Sequence, residues 1–345
     1  MNRVKIRVIG TGSYLPAQIV TNNDLSSIID TNDEWIKTRT GISQRHIASS
    51  DQTTSELATN ALNEALKMAN LKGCDLDAII LSTTTPDCIF PSTAVKVQYN
   101  VGMYNGFAFD LQTVCSGFAY GLYTAEKFLR SGSVKRIAVI GAEIMSRILN
   151  WNDRSTCVLF GDGAGAIILE AYDTTEDNNE SDIIDIILKS DPRHQEALYA
   201  LDNNSWNKNI SLFKIEKFIQ SNNIITSDAF GIHMNGAAVF KNAVEGMTEM
   251  SLQIIQKNHL NLQDIKWLLL HQANARITKS VAERLQIPSQ HIMESIENCA
   301  NTSVATIPIT LDKYVRNNSN LQRGDMILMA TAGAGMTFSS CLLRW

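Results

Sequence analysis

No apolar run in the sequence approaches the roughly 18 residues that a membrane-crossing helix needs, and the opening MNRVKIR leads straight into a strand pattern rather than a secretion signal. Both absences predict a soluble, cytoplasmic protein without a membrane partner. Positive charge is not in excess either. Thirty Lys and Arg against 35 Asp and Glu leave a net charge of −5, without the basic field that a nucleic-acid surface requires. The six cysteines, Cys74, Cys88, Cys115, Cys157, Cys299 and Cys341, are scattered and include no Cys-x-x-Cys pair. Neither a zinc site nor a disulfide framework is therefore expected, and reduced thiols fit the cytosol. With 44% hydrophobic and 19% charged residues the composition is that of an ordinary globular protein. Its 345 residues exceed the usual single-domain size, which leaves one large domain or two fused ones.

What is present alternates β-branched apolar runs with helical periods, the pattern of a layered α/β protein. Residues 4–8, 78–81, 136–140 and 166–170 read as strands and residues 54–69 and 115–130 as helices. In the first helix Leu57, Ala61, Leu62, Ala65, Met68 and Ala69 form one apolar face. The order then repeats. The run AIILSTT (78–84) corresponds to WLLLHQA (267–273), RIAVIGAE (136–143) to MILMATAG (326–333), and GAGAIIL (163–169) to GAGMTFS (333–339). This self-similarity predicts duplicated halves, 1–173 and 174–345, meeting near the polar stretch TTEDNNESD (174–182). Residues 203–223, rich in Asn and Lys, read as an insertion or a cover. Two glycine-rich segments, GTGSYL (10–15) and GDGAGA (161–166), resemble pieces of nucleotide loops. Neither opens a helix as a dinucleotide fingerprint must, so they are read as tight hairpin glycines.

Three junctions carry the chemistry. In DLQTVCSGFA (110–119) an apolar run ends in Cys115 and small residues open a helix. A thiol at a helix N-terminus faces unpaired N–H groups, which predicts a depressed pKa and a nucleophile. In WLLLHQANAR (267–276) a strand runs into His271 and Asn274, and in NCANTSVATIP (298–308) a polar turn carries Asn301 into another helix. Strand ends of α/β sheets are where ligands and catalytic groups collect. If helices lie between the two sheets, the Cys115 helix of one half meets the strand ends of the other.

Cys115, His271 and Asn301, together with DEWIKTRTGI (33–42), FGDGAGA (160–166), HQAN (271–274) and NTS (301–303), resemble the β-ketoacyl-acyl-carrier-protein synthase III family of condensing enzymes, nearly end to end. The resemblance implies a thiolase-like, five-layer αβαβα sandwich. It implies an acyl-CoA primer, a malonyl-acyl-carrier-protein acceptor, a homodimer, and no metal, flavin or nicotinamide cofactor. Cys115 would carry the acyl group, and the N–H groups of Cys115 and Ala334 would form the oxyanion hole. His271 and Asn301 would serve the malonyl thioester. Thr31, Trp35, Arg39, Arg154 and Asn274 match coenzyme A positions, and Lys241 and Arg276 the carrier-protein dock. Phe90, Met234, Phe240 and Ala332 match the acyl pocket, with Phe90 reaching into the partner's pocket. The chain departs from the family at TAGAGM (331–336), where Phe-Gly-Gly-Gly is typical, so that Ala332 replaces a phenyl ring. It also departs at Ala237, in place of an Asn, and at Glu283, in place of a Lys. Three alternatives remain open: a specialised-metabolism, polyketide-type ketosynthase with a non-acetyl primer, a cysteine hydrolase, and a non-enzymatic binding module of this fold, which the presence of all three reactive residues disfavours. The second shares the order Cys, His, Asn but lacks the papain-type motif around its cysteine.

Overall fold

Two five-stranded sheets with one common topology carry the fold, seen in a computed structural model that describes residues 4–173, 181–201, 231–317 and 320–345. The expected cover at 203–223 lies outside the described residues. The strands are β1 (Lys5–Tyr14), β2 (Gln18–Thr21), β3 (Gln44–Ile47), β4 (Ala78–Ser82), β5 (Phe107–Leu111), β6 (Arg136–Glu143) and β7 (Gly163–Tyr172). They continue as β8 (Asp182–Ser190), β9 (Leu198–Leu201), β10 (Gly231–Met234), β11 (Trp267–Leu270), β12 (Ile292–Met293), β13 (Met326–Gly333) and β14 (Thr337–Arg344). One sheet runs β1-β7-β6-β4-β5 and the other β8-β14-β13-β11-β12, while β2/β3 and β9/β10 form small ribbons. In each sheet the first three strands are antiparallel to their neighbours and the last three are parallel. Even the irregularities correspond, since β1 shifts register at Val8/Gly10 and β8 pairs across a shift at Leu342/Leu343.

Strand alternation sorts side chains into layers. Ile80, Val139 and Leu169 of the first sheet and Leu269, Ile327 and Leu343 of the second face a shared middle core. That core holds Phe118, Leu122 and Leu129 of helix Gly117–Arg130, and Ile307 and Leu311 of helix Thr306–Arg316. Ile79, Leu81 and Ile140 point the other way, onto Leu57, Ala61 and Ala65 of helix Thr54–Ala69. Leu268, Leu270 and Leu328 likewise meet Met247, Met250 and Ile254 of helix Gly236–Lys257 and Val281 of helix Ala275–Arg284. Helices thus lie outside, between and outside the sheets, the expected five layers.

Three expectations are corrected. In helix Thr54–Ala69 the buried face runs through Leu57, Ala58, Ala61, Leu62, Ala65 and Leu66, while Met68 is 38% exposed. Leu66 widens the stripe, and Met68, which keeps the helical spacing from Ala61 and Ala65, reaches the sheet only through its sulfur, which accepts the Thr11 N–H at 3.3 Å. Gly10, Gly12 and Gly165 lie inside strands rather than in hairpin turns, and the need is for close approach. A Cβ on Gly12 would lie 2.2 Å from Ala61 O, and one on Gly165 2.7 Å from Ile309 N. Last, Gly163 stands opposite Glu143 at the start of β7, whereas Thr337 stands opposite Gly333 at the start of β14. Gly163 therefore corresponds to Thr337, four residues beyond the GAG match read from sequence.

Candidate active site

Strand β5 ends at Leu111, a short 3-10 turn spans Val114–Ser116, and helix Gly117–Arg130 follows. Val114 is held at φ 49°, an uncommon conformation for a β-branched residue, and the turn brings the next side chain under the helix start. Cys115 is only 5% exposed. Its position is the junction expected, but its thiol is not acidic. Burial pushes the pKa up to about 12; the Ser303 hydroxyl and the residue's own N–H oppose this, and the Glu143 charge adds to it. The helix end is outweighed because solvent is excluded and, among the described residues, no cation acts on the thiol. Near neutral pH Cys115 is therefore a thiol.

His271 follows β11, its backbone N–H donating to Ala330 O at 3.0 Å, and its Nδ1 lies 2.7 Å from Thr306 Oγ1 at the start of the second central helix. Burial lowers its pKa to about 3, so the ring is neutral at any ordinary pH. Asn301 is anchored by its own N–H to Leu159 O (3.0 Å), and its Oδ1 accepts the Ser303 N–H at 2.8 Å. That contact uses the carbonyl end of the amide and leaves Nδ2 for the cavity.

Cys115, His271 and Asn301 line one cavity of about 500 Å³, with Trp35, Arg39, Met234, Phe240, Asn274, Arg276 and Ala332 also in its wall. Met247 and Met336, both buried, extend the apolar side beside Ala332. At one end two guanidinium groups lie over the Trp35 indole, Arg39 at 4.6 Å and Arg154 at 5.1 Å from the ring centroid. Arg154 is also tied to Asp30 O at 2.7 Å. Asn274 caps helix Ala275–Arg284 through Oδ1 and donates Nδ2 to Arg39 O at 3.0 Å, so both ends of its amide hold the wall together. Lys241 and Arg276 are exposed, on the two outer helices.

Other expected residues stand apart. Thr31 is not in the cavity wall, and its Oγ1 is buried without a hydrogen bond among the described residues. Phe90 is absent from the wall of its own chain and is 83% exposed. Ala334 lies half-buried in the turn after β13; its neighbour Gly333 lines the cavity, and a Cβ there would come within 3.0 Å of Ser116 N.

Sequence reasoning passed over three residues. Thr306 contacts the His271 ring, Ser303 Oγ lies 3.6 Å from Cys115 Sγ, and Glu143 accepts the Ser303 hydroxyl at 3.3 Å. Glu143 is fully buried at the end of β6, where its carboxylate also accepts the N–H groups of Thr84 and Thr85 and the hydroxyls of Thr83, Thr84 and Thr85. Burial still raises its pKa. The available signal was Ser303 within the NTS motif and a carboxylate ending an otherwise apolar strand.

The chain is similar to known proteins over nearly its whole length. Models of 3-oxoacyl-acyl-carrier-protein synthase III match residues 109–192, and its C-terminal part residues 255–345. A β-ketoacyl-acyl-carrier-protein synthase III of Ehrlichia canis is 46% identical over 337 residues, 98% of each chain. The crystal structure of 3-oxoacyl-acyl-carrier-protein synthase III from Aquifex aeolicus superposes with a TM-score of 0.86 at 40% identity, covering 99% of this chain and 100% of that one. A priming β-ketosynthase of the R1128 polyketide pathway superposes at 0.87 with 29% identity, covering 99% and 96%.

Proposed function

From membership of the β-ketoacyl-acyl-carrier-protein synthase III family, to which the chain belongs, we propose the division of labour by which it acts as a condensing acyltransferase initiating fatty acid synthesis. Cys115 attacks the acyl-CoA thioester and holds the acyl group. The tetrahedral oxyanion takes hydrogen bonds from the N–H groups of Cys115 and Ala334; the packing of Gly333 against Ser116 supports bringing that turn to the nucleophile. Coenzyme A leaves, and malonyl-acyl-carrier protein enters. With the Thr306 hydroxyl donating to Nδ1, the ring proton of His271 sits on Nε2. His271 Nε2–H and Asn301 Nδ2–H then donate to the malonyl thioester oxygen, and these bonds strengthen as carbon dioxide departs and enolate charge develops. The carbanion attacks the acyl group on Cys115 and releases the 3-oxoacyl thioester. Acyl-CoA and malonyl-acyl-carrier protein are substrates, and the scheme uses no further cofactor.

The observation that carries this reading is that His271 Nδ1 lies 2.7 Å from Thr306 Oγ1 and Asn301 Oδ1 accepts the Ser303 N–H, in the wall Cys115 shares. A neutral His271 suits a donor and not the cationic partner of a hydrolase thiolate. The test separates the half-reactions. His271→Ala and Asn301→Ala are expected to slow malonyl decarboxylation by roughly a hundredfold or more each, while acyl transfer to Cys115 stays within a few-fold. Equal loss of both steps would assign the pair to the thiol instead.

The Trp35 indole with Arg39 and Arg154 over its ring supports an adenine site, in which the base replaces Arg154 on the ring face and the guanidinium moves to phosphate. Exposed Lys241 and Arg276 supply positive charge near the cavity for an acidic carrier. A homodimer is favoured by the edge strand β5 beside exposed Ile89 (89%), Phe90 (83%), Tyr99 (72%) and Tyr104 (77%), since such an edge and patch are normally covered. Phe90 would enter the partner's acyl pocket. A polyketide-type primer is the second reading, favoured by Ala332 and the adaptable side chains of Met234, Met247 and Met336 around it.

A further inference from the structure

An unliganded thiol with its pKa near 12 must lose its proton as it attacks, and the neutral His271 ring is engaged through Nδ1 by Thr306. The neighbours of Cys115 show where that proton can go. Ser303 Oγ lies 3.6 Å from Cys115 Sγ and donates to Glu143 Oε1 at 3.3 Å. A hydroxyl has one hydrogen, so while Ser303 donates to the carboxylate its oxygen is the acceptor for the Cys115 S–H. The three groups form a directed chain from thiol to carboxylate. Ser303 is held there at φ 51°, an uncommon backbone conformation for a non-glycine residue, and its N–H is fixed on Asn301 Oδ1.

We propose that Glu143, acting through the Ser303 hydroxyl, takes up the Cys115 proton during acyl transfer, which makes Ser303 a catalytic residue and Glu143 a positioning residue that stores the proton. The inference rests on the assignment of Cys115 as the acyl acceptor. As Sγ bonds to the carbonyl carbon of acyl-CoA, its proton passes to Ser303 Oγ and the Ser303 proton passes to Glu143. The C–S bond to coenzyme A then breaks with its electron pair on the departing sulfur, and the stored proton returns to that thiolate. Thiol and thioester exchange, and nothing is oxidised or reduced.

Electrostatics favours this path over loss of the proton to solvent. Glu143 opposes a thiolate while it is charged, and burial raises its own proton affinity. Moving the proton from Cys115 to Glu143 converts thiol plus carboxylate into thiolate plus carboxylic acid, so the buried cluster keeps a single negative charge throughout. Among the described residues, Cys115 feels the Glu143 charge and the neutral His271 stands in the wall of the same cavity. The five Thr donors from the loop after β4 fix the carboxylate without adding charge.

The experiment is single-turnover acylation by acetyl-CoA, followed by intact mass from pH 5 to 9, in the wild type, Ser303→Ala, Glu143→Gln, Glu143→Asp and the double variant Ser303→Ala/Glu143→Gln, with malonyl decarboxylation measured in parallel. Ser303→Ala and Glu143→Gln are each expected to slow acylation by about a hundredfold, the usual range for a proton-transfer group, with the double variant no slower than either. The acidic limb of the wild-type profile, where a protonated Glu143 cannot accept, should vanish in Glu143→Gln and persist in Glu143→Asp. Ser303→Ala leaves the Thr donors of Glu143 in place and decides the matter should Glu143→Gln fail to fold. Acylation within about threefold of wild type in folded Ser303→Ala or Glu143→Gln, or equal losses in acylation and decarboxylation, would overturn the relay. A wild type that is not acylated on Cys115 would instead overturn the underlying assignment.

Discussion

At the scale of single residues, the site is governed by burial more than by charge. Cys115 and His271 are displaced in opposite directions, both by desolvation, so neither is ionised near neutral pH. His271 should leave a mark on stability. Its folded pKa, about 3, lies below its ordinary value of 6.5, so between these values the unfolded chain binds a proton that the folded protein cannot. Stability from this residue is full above pH 6.5 and falls as the pH drops towards 3. Urea midpoints of wild type and His271→Gln should therefore converge, or cross in favour of the variant, as the pH is lowered from 7 to 4. Parallel curves would mean that the ring protonates readily in the fold. Cys115, His271 and Asn301 were legible in sequence because each ends an apolar strand or turn at a recognisable junction. Thr306, Ser303 and Glu143 were not legible as functional, because a hydroxyl or carboxylate acquires its role from a partner 35, 188 or 160 residues away.

At the scale of elements, short apolar runs and helical periods announced the longer strands and helices of the first half. Helix Thr54–Ala69 begins and ends where the pattern placed it, because Thr53 and Glu56 form a capping box and Asn70 closes it in the left-handed conformation. Strand β1 was read too short, since Gly10, Thr11 and Gly12 look like a turn when the helix packed against them is not in view. That packing makes a prediction. A methyl group on Gly12 would sit 2.2 Å from Ala61 O and 2.4 Å from Ala65 N, against helix backbone that cannot rotate away. Gly12→Ala should cost about 2–3 kcal/mol of folding stability, the upper part of the usual range for overpacking. Chemical denaturation measures it, and an unchanged midpoint would show that strand and helix separate easily.

At the scale of the whole molecule, two halves of one topology place Cys115, the proposed nucleophile, on one and His271 and Asn301 on the other. Cys115 belongs to the segment after β5, and His271 to the segment after β11. Each half alone lacks part of the chemistry. The same scale applies to the proposed dimer, in which Phe90 completes a pocket that its own chain does not line. Phe90→Ala should change acyl-chain preference although the residue is remote from the Cys115 of its own chain, and sedimentation should show a dimer at assay concentration. A fully active monomer would contradict that assembly. The most direct test of the account is acyl transfer itself: wild type and Cys115→Ala incubated with acetyl-, butyryl-, hexanoyl- and octanoyl-CoA, followed by intact mass and peptide mapping. The account predicts one acyl group per wild-type chain, mapped to Cys115, and none in Cys115→Ala. Acylation that persists in Cys115→Ala, or that maps to Cys88 or Cys299, would contradict it.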